Sequence, residues 1–178
     1  MKIIKTPIKD LIVIEPIIHG DHRGFFLETY QKDRYQKVAE IKEDFIQDNH
    51  SRSSKGILRG LHYQKTKPQG KLVRVVQGEV FDVAVDLRVE SETFGKWFGV
   101  TLSAETKNQF YVPPGFAHGF VVLSEFADFE YKCTDYYYPE DEETICWNDS
   151  SININWPIKN PILSKRDQNG KSFKELFS

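Results

Sequence analysis

Two of the five histidines lie in sequence contexts that suggest a reactive site. His62 follows the glycine-containing stretch GILRGL and precedes Tyr63 and Gln64, and His118 ends the stretch PPGFAH. Imidazole titrates near neutral pH, so either side chain could exchange a proton with a substrate or bind a metal ion. The alternative is that both histidines are hydrogen-bonded core residues, because short motifs of this kind occur by chance.

The two stretches resemble the paired motifs of the cupin superfamily, which have the forms G-x5-H-x-H and P-x-G-x-x-H. Cupin metal sites use both histidines of the first motif, a later glutamate and the histidine of the second motif. In this sequence Gln64 occupies the position of the second histidine, and no acidic residue follows it before Glu79. Two histidines alone hold a divalent transition metal poorly. The resemblance therefore predicts a cupin pocket without a metal or any other cofactor.

Strand patterns dominate the elements that must position these side chains. Within residues 78–88, Phe81, Val83, Val85 and Leu87 alternate with a less apolar set, which is the period of a strand. Similar short runs occur near residue 12 and from residues 24, 71, 96, 108, 119 and 128, with turn-forming residues between them. This spacing predicts an all-β jelly-roll barrel. Helices are expected only at 31–42 and after residue 172.

Composition places the chain among globular single domains. It has 178 residues, of which 39% are hydrophobic, so we expect one domain over residues 1–178 rather than a disordered chain. The net charge of −2 argues against a nucleic-acid partner. Two cysteines cannot form a zinc cluster or a disulfide framework. Charged residues and prolines interrupt the first apolar run, so we expect no signal peptide, no membrane partner and a cytoplasmic location.

An ordered series of blocks closely resembles the dTDP-4-dehydrorhamnose 3,5-epimerase family from about residue 4 to residue 167. The blocks are GDHRGFFLE (20–28), QDNHS (47–51), LRGLHYQ (58–64), GKLVR (70–74), GFAHGF (115–120), YKCTDYY (131–137) and ILSKRD (162–167). The resemblance implies a metal-free, cupin-like jelly roll that forms a homodimer. It also implies an isomerase of dTDP-L-rhamnose synthesis, which inverts C3 and C5 of dTDP-4-dehydro-6-deoxy-D-glucose through an enolate.

The same resemblance assigns the catalytic residues. It makes His62 the base, Asp167 its orienting partner, Tyr131 the proton donor and Lys71 the cation beside the developing O4 enolate. Epimerisation beside a ketone needs such a base, an acid on the opposite face and a group that holds the enolate. The phenol is a suitable acid if a neighbouring cation lowers its pKa. Without the resemblance, Asp167 would be interpreted as a solvated charge, Tyr131 as a core aromatic residue and Lys71 as a turn lysine.

Further residues match family positions that contact the nucleotide sugar. They are Arg23, Glu28, Gln47, Asn49, Arg59, His118, Glu142 and Arg166. Arginine suits a pyrophosphate, and glutamine or asparagine suits a thymine edge or sugar hydroxyls. Arg166 stands where the family often has lysine, and we expect this difference to tune affinity. Arg23 and Glu28 lie near an N-terminal strand that in the family helps to complete the neighbouring subunit's site, so a monomer should be impaired.

Two other classes of function remain open from the sequence. A related enzyme could use the same pocket as a single-site epimerase at C3 or C5, or as a 3,4-ketoisomerase. The joint presence of His62, Tyr131, Asp167 and Lys71 favours the double epimerase. The chain could also be a non-catalytic sugar-binding cupin or a metal-dependent oxygenase. Gln64 disfavours the oxygenase, and a complete base–acid pair disfavours the inert binder.

Overall fold

A computed structural model describes residues 1–177, and Ser178, the last residue of the predicted domain, lies outside the described residues. The strands are β1 (Lys2–Lys5), β2 (Ile12–Glu15), β3 (Ile18–Asp21), β4 (Gly24–Leu27), β5 (Gln47–Ser54), β6 (Leu58–Gln64), β7 (Lys71–Gln77), β8 (Glu79–Asp86), β9 (Trp97–Ser103), β10 (Gln109–Val112), β11 (Phe116–Val122), β12 (Phe126–Cys133) and β13 (Glu142–Thr144). The helices are α1 (Lys32–Val38), α2 (Lys165–Gln168) and α3 (Phe173–Phe177).

The strands form two antiparallel sheets that pack face to face, so the predicted jelly roll is confirmed. The larger sheet has the order β1-β2-β10-β7-β12-β5, and the smaller has the order β13-β6-β11-β8-β9. Strands β3 and β4 make a separate hairpin. Because β6, β8 and β11 lie in one sheet and β7 and β12 in the other, the motifs around His62 and Lys71 face each other across the sandwich.

The alternating pattern of β8 explains how one strand serves two apolar layers. Val80 and Ala84 point into the core between the sheets, together with Val73, Phe110 and Phe129. The alternate residues, which include Phe81, Val83, Val85 and Leu87, pack on the outer face against the C-terminal segment and its aromatic residues Trp156, Phe173 and Phe177. The smaller sheet is therefore covered on both faces, and the C-terminal segment is fixed against it.

Helix α1 covers the outer face of the larger sheet and is shorter than the sequence indicates. The predicted helix over 31–42 ends instead at Val38. Glu40 has a φ of 58°, a left-handed conformation that cannot continue a right-handed helix. Tyr35 is buried and donates a hydrogen bond to Gln109 Oε1 at 2.8 Å. Ile41, which the periodicity assigned to the helix, packs beside it after the chain has turned.

Several elements carry no apolar alternation and were not predicted. Strand β5 has the sequence QDNHSRSS and is an edge strand that pairs with β12, so its register comes from main-chain pairing rather than from a hydrophobic face. Helix α2 is a single turn that begins after Ser164.

The short helix expected after residue 172 is confirmed as α3. Within residues 1–177, none of the helices has the length and apolar character needed to cross a bilayer.

Candidate active site

A cavity of about 620 Å³ opens between the two sheets and gathers most of the side chains singled out from the sequence. Among its lining residues are His62, Lys71, Tyr131, Asp167, Gln47, Asn49, Arg59, His118, Glu142 and Arg166. They come from both sheets and from α2, and are separated by up to 120 positions along the chain (Gln47 to Asp167). The fold therefore assembles as one site a set of residues that the sequence displays as separate blocks.

A bulge in β6 allows Arg59 and His62 to share the cavity. In a regular strand, residues three apart point to opposite faces. Here His62 lies opposite His118 and Arg59 lies opposite Phe120, so two residues of β6 face one residue of β11. Glycine is required at this point, because a Cβ on Gly60 would lie 2.6 Å from the Cα of Gly119.

His62 and Asp167 form the pair that the resemblance implies. His62 Nε2 lies 2.6 Å from Asp167 Oδ1. The neutral ring then carries its proton on Nε2 and leaves Nδ1 to accept a proton, with Glu142 Oε1 at 3.8 Å from that nitrogen. The His62 side chain is 23% exposed, whereas that of Asp167 is 3% exposed. A ligand in the cavity can reach the imidazole while its carboxylate partner stays buried.

Asp167 is held by more than the imidazole. Ser164 donates its hydroxyl to Asp167 Oδ2 at 2.7 Å, and the Gly60 amide donates to Oδ1 at 3.4 Å. Burial raises the pKa of Asp167, but the hydrogen bonds from His62 and Ser164 outweigh it, and the net pKa lies below the usual value. The carboxylate is thus ionised at neutral pH and able to stabilise a protonated imidazole. Ser164 was not identified from the sequence.

Tyr131 approaches from the opposite sheet, where its surroundings raise the pKa of the phenol. The condition set for it as an acid, a neighbouring cation that lowers its pKa, is therefore not met. Burial raises the pKa of Tyr131 to about 12, and the influence of Arg59 in the other direction is smaller. At neutral pH the phenol is therefore fully protonated, so it can donate a proton without first having to gain one.

Lys71 lies at the start of β7, where it is paired in register with Cys133 of β12. Burial lowers the pKa of the Lys71 ammonium, and Cys133, Glu142 and Asp82 act in the opposite direction. Burial raises the pKa of the Cys133 thiol, since it disfavours the charged form here too. The Cys133 sulfur accepts a hydrogen bond from Asn49 at 3.5 Å. The amine of Lys71 is the cationic group on this wall that could meet a developing enolate.

A second histidine–carboxylate pair lies in the smaller sheet, and its acid was missed. His118 Nε2 is 2.8 Å from Asp82 Oδ1. Asp82 is completely buried, and its Oδ2 has no hydrogen-bond partner among residues 1–177. Burial raises the pKa of Asp82, opposed by His118 and Lys71. The alternation of β8 did signal that Asp82 shares a face with Val80 and Ala84.

The rim of the cavity is a polar cluster around Glu142. Tyr137 donates its hydroxyl to Glu142 Oε2 at 2.9 Å, and Arg166 pairs with the same carboxylate. The Arg166 guanidinium also lies 3.3 Å from the Tyr137 hydroxyl, so it makes the forked contact that arginine permits and lysine does not. Gln47 accepts a hydrogen bond from the Tyr137 amide at 3.0 Å. Tyr137 was given no role from the sequence, although it ends the block YKCTDYY (131–137).

Arg23 and Glu28 lie outside this cavity. Arg23 is on the exposed β3–β4 hairpin, where it pairs with Asp21 at 2.5 Å. Glu28 pairs with Arg34 at 3.3 Å. Within one chain the two residues do not contribute to the site. A role in the neighbouring subunit's site stays a prediction.

The residues present do not make a metal site of the cupin kind. No group of three or more histidine, cysteine or acidic side chains converges within the described range 1–177. Gln64 is 5% exposed, and its amide nitrogen donates to the main-chain carbonyls of Lys67 and Tyr136. The side chain that replaces the second cupin histidine is thus committed to the protein main chain.

Comparison with known proteins identifies the family of the chain. A family model described as dTDP-4-dehydrorhamnose 3,5-epimerase matches residues 5–175. A relative of that name from Shigella flexneri is 55% identical over 174 residues, which cover 97% of this chain and 96% of the relative.

Two solved structures show the same fold with ligands. The epimerase from Legionella pneumophila in complex with dTDP-4-keto-L-rhamnose has a TM-score of 0.95 at 55% identity, covering 99% of this chain and 94% of the other. The enzyme from Bacillus anthracis with TDP and PPi bound has a TM-score of 0.93 at 42% identity, covering 96% and 98%. The chain therefore belongs to the dTDP-4-dehydrorhamnose 3,5-epimerase family of isomerases.

Proposed function

We propose that the cavity inverts C3 and C5 of dTDP-4-dehydro-6-deoxy-D-glucose and releases dTDP-4-dehydro-L-rhamnose. The observation that carries this proposal is the placement of the two proton-transfer groups in opposite walls. His62 belongs to the smaller sheet and Tyr131 to the larger one. A sugar ring bound between them meets a base on one face and an acid on the other, which is the arrangement that inversion requires.

His62 removes the proton next to the C4 ketone. Nδ1 accepts the proton, and the imidazolium is stabilised by Asp167, whose Oδ1 lies 2.6 Å from Nε2. The electron pair of the broken C–H bond forms a double bond to C4, and the π electrons of the C4–O4 bond move onto O4 to give an enolate. Lys71 offers a positive charge to O4, where preorganised charge in a water-poor site is worth about 3–4 kcal/mol.

Tyr131 completes the inversion by returning a proton to the opposite face of the same carbon. The phenol then becomes a phenolate and His62 an imidazolium, so both must exchange protons with water before the second carbon reacts. The partial exposure of His62, at 23%, gives solvent a route to one of them. One base and one acid can therefore serve C3 and C5 in turn if the ring shifts between the two reactions.

The polar rim is suited to the nucleotide end of the substrate. Arg59 and Arg166 line the cavity and can contact a pyrophosphate, while Gln47 and Asn49 offer amides to a thymine edge. Arg59 also donates to Ser53 Oγ at 2.9 Å, which fixes the direction of its guanidinium. Two solved relatives hold ligands that are dTDP-linked or contain TDP, which supports a nucleotide subsite in this cavity.

The homodimer is the proposed assembly. The β3–β4 hairpin presents Phe25 and Phe26 with 61% and 71% of their surface exposed, and Ile18 beside them is 43% exposed. An apolar patch of this kind favours a protein partner. A second copy would cover it and bring Arg23 towards the neighbouring cavity. Phe26→Asp should give a monomer with reduced activity in light scattering and turnover assays; a fully active monomer would exclude strand sharing. The cytoplasmic location stays a prediction.

The activity is proposed to need no metal, since Gln64 is bonded to the main chain and cannot act as a ligand without breaking those bonds. Turnover should survive prolonged treatment with EDTA. Loss of activity that one divalent ion restores would contradict the metal-free mechanism.

The function itself is tested by incubating the enzyme with dTDP-4-dehydro-6-deoxy-D-glucose in deuterated water. Nuclear magnetic resonance should show deuterium at both C3 and C5 and inversion of both centres. Label and inversion confined to one centre would identify a single-site epimerase, and movement of the ketone would identify a ketoisomerase.

A further inference from the structure

Gln64 makes an unusual set of contacts for a residue that points to the same side of its strand as the base. It lies two residues after His62 on β6, is 5% exposed and does not line the cavity. Its amide nitrogen donates to Lys67 O at 2.7 Å and to Tyr136 O at 3.2 Å. Its amide oxygen accepts from Tyr138 N at 2.8 Å. The side chain thus binds the main chain on both sides of Tyr137.

The main chain of Gln64 contacts the same rim from another direction. Gln64 is paired in register with Glu142 of β13. Glu142 in turn accepts the Tyr137 hydroxyl at 2.9 Å. The contacts therefore close a triangle in which Gln64 fixes the backbone beside Tyr137 and beside Glu142, and these two side chains then meet each other.

We propose that Gln64 is a positioning residue for the nucleotide-binding rim, which it builds by holding Tyr137 against Glu142. Two further cavity residues depend on this arrangement. The Tyr137 amide donates to Gln47 Oε1 at 3.0 Å, and Arg166 contacts both Tyr137 and Glu142. The inference rests on the proposed function only for the identity of the ligand.

The proposed role predicts an effect on binding rather than on proton transfer. The amide of Gln64 forms its hydrogen bonds with the main chain of Lys67, Tyr136 and Tyr138, and not with the proposed proton-transfer groups. Replacing it with methionine keeps the length of the side chain and removes all these bonds. A hydrogen-bonded anchor of this size is worth about a factor of ten in an equilibrium constant.

The experiment compares Gln64→Met with a matched control, Gln109→Met. Gln109 is also a buried glutamine, with 1% exposure, and its amide donates to the main-chain carbonyl of Thr29 at 2.7 Å. It does not line the main cavity. Binding of dTDP is measured by isothermal titration calorimetry, kcat and KM are measured with the nucleotide sugar, and Tm is recorded for each variant.

Gln64→Met should raise the Kd of dTDP and the KM about tenfold and change kcat by less than about threefold. Gln109→Met should leave the Kd within about twofold, although it also lowers Tm. Tyr137→Phe should raise the Kd in the parent but add little in the Gln64→Met background. If Gln64→Met does not fold, Gln64→Glu, which keeps only the bond from Tyr138, takes its place with the same expected rise in Kd.

An unchanged Kd in folded Gln64→Met or Gln64→Glu would overturn the proposal. A fall in kcat with an unchanged Kd would also overturn it. An equal rise in Kd for Gln109→Met would do the same, because an equal effect at the control position would indicate general destabilisation. Calorimetry with dTDP does not require turnover. A parent enzyme that binds dTDP without epimerising the sugar would thus refute the proposed function and still test Gln64.

Discussion

The molecule contains two histidine–carboxylate pairs of similar geometry in very different surroundings. His62 and Asp167 are 105 positions apart in sequence and lie 2.6 Å apart in the fold. His118 and Asp82 are 36 positions apart and lie 2.8 Å apart on neighbouring strands. Both pairs use Nε2 of the ring, so bond geometry alone does not distinguish them.

The difference lies in solvation and in hydrogen bonding of the acid. Both oxygens of Asp167 have partners, and its histidine is 23% exposed. Asp82 has one oxygen without a partner among the described residues, and its histidine is 8% exposed. A pair that must gain and lose a proton needs a satisfied carboxylate and an accessible ring. The His62 pair meets both conditions, whereas the buried pair meets neither.

Removal of each imidazole should give the largest contrast. His62→Ala removes the base, so both solvent-proton exchange and epimerisation should fall by about a thousandfold or more. His118→Ala removes a cavity-lining side chain that is not the base and should lower kcat by about ten- to a hundredfold. Rates of deuterium incorporation at C3 and C5 measure both effects. Equal losses in the two variants would mean that the surroundings do not separate their roles.

The opposite wall can be tested by removing only the phenol hydroxyl. In Tyr131→Phe, His62 still takes a proton and returns one to the same face, so deuterium should enter with little inversion. Inversion should slow by about a hundredfold or more, as is typical when a general acid is lost. Deuterium incorporation and product stereochemistry are followed in the same sample. Inversion within a few-fold of the parent rate would assign the acid to another residue or to water.

Conversion of each carboxylate to its amide gives a smaller contrast. Asp167→Asn leaves the imidazolium without its counter-charge, and kcat should fall by about a hundredfold. Asp82→Asn removes a buried carboxyl group whose pKa burial has raised, so its ionised form destabilises the fold at pH 7. In this variant kcat should fall by about tenfold at most, and the free energy of unfolding should not decrease. Steady-state kinetics and urea unfolding at pH 7 measure the two variants. A greater kinetic loss for Asp82→Asn would reverse the assignment.

Asp86, on the same strand and face as Asp82, is expected to affect stability alone. Hydrogen bonds from Arg88, Ser91 and Thr93 outweigh burial and lower its pKa to about 2. A lowered pKa stabilises the fold above about pH 4, and this contribution is lost as the pH falls towards 2. Because Arg88 is 27% exposed, solvent screens the pair, and Asp86→Asn should cost about 1–2 kcal/mol at pH 7. Urea unfolding between pH 7 and pH 3 measures the loss, and a pH-independent difference would contradict it.

Much of the fold could be predicted because the apolar strands show a two-residue alternation in the sequence. The alternation around Val83 and Val85 identifies β8 and both of its faces. Strand β5 carries no such pattern, since an edge strand of polar residues takes its register from its neighbour β12. The end of α1 depends on the left-handed conformation of Glu40. The spacing of apolar residues does not predict this conformation.

The site was less accessible to sequence reasoning than the fold. Asp167 lies in the polar stretch SKRDQNGK, and only its docking against β6 buries it to 3%. The direction of the pKa shift at Tyr131 could not be predicted, because it depends on burial, which a strand pattern does not quantify and which exceeds the influence of Arg59. Asp82 was overlooked because the partner of an acid inside an apolar strand cannot be identified until the register of β8 against β11 is known.

The bulge between β6 and β11 has a consequence for how this gene can vary. Deletion of one codon between Arg59 and His62 would restore the regular pleat and turn one of these side chains away from the substrate. Gly60 and Gly119 approach each other so closely that a methyl group on either would collide with main-chain atoms of the opposite strand. In a library of all single substitutions, these two codons should be as intolerant as that of the base, although neither glycine has a side chain that could react.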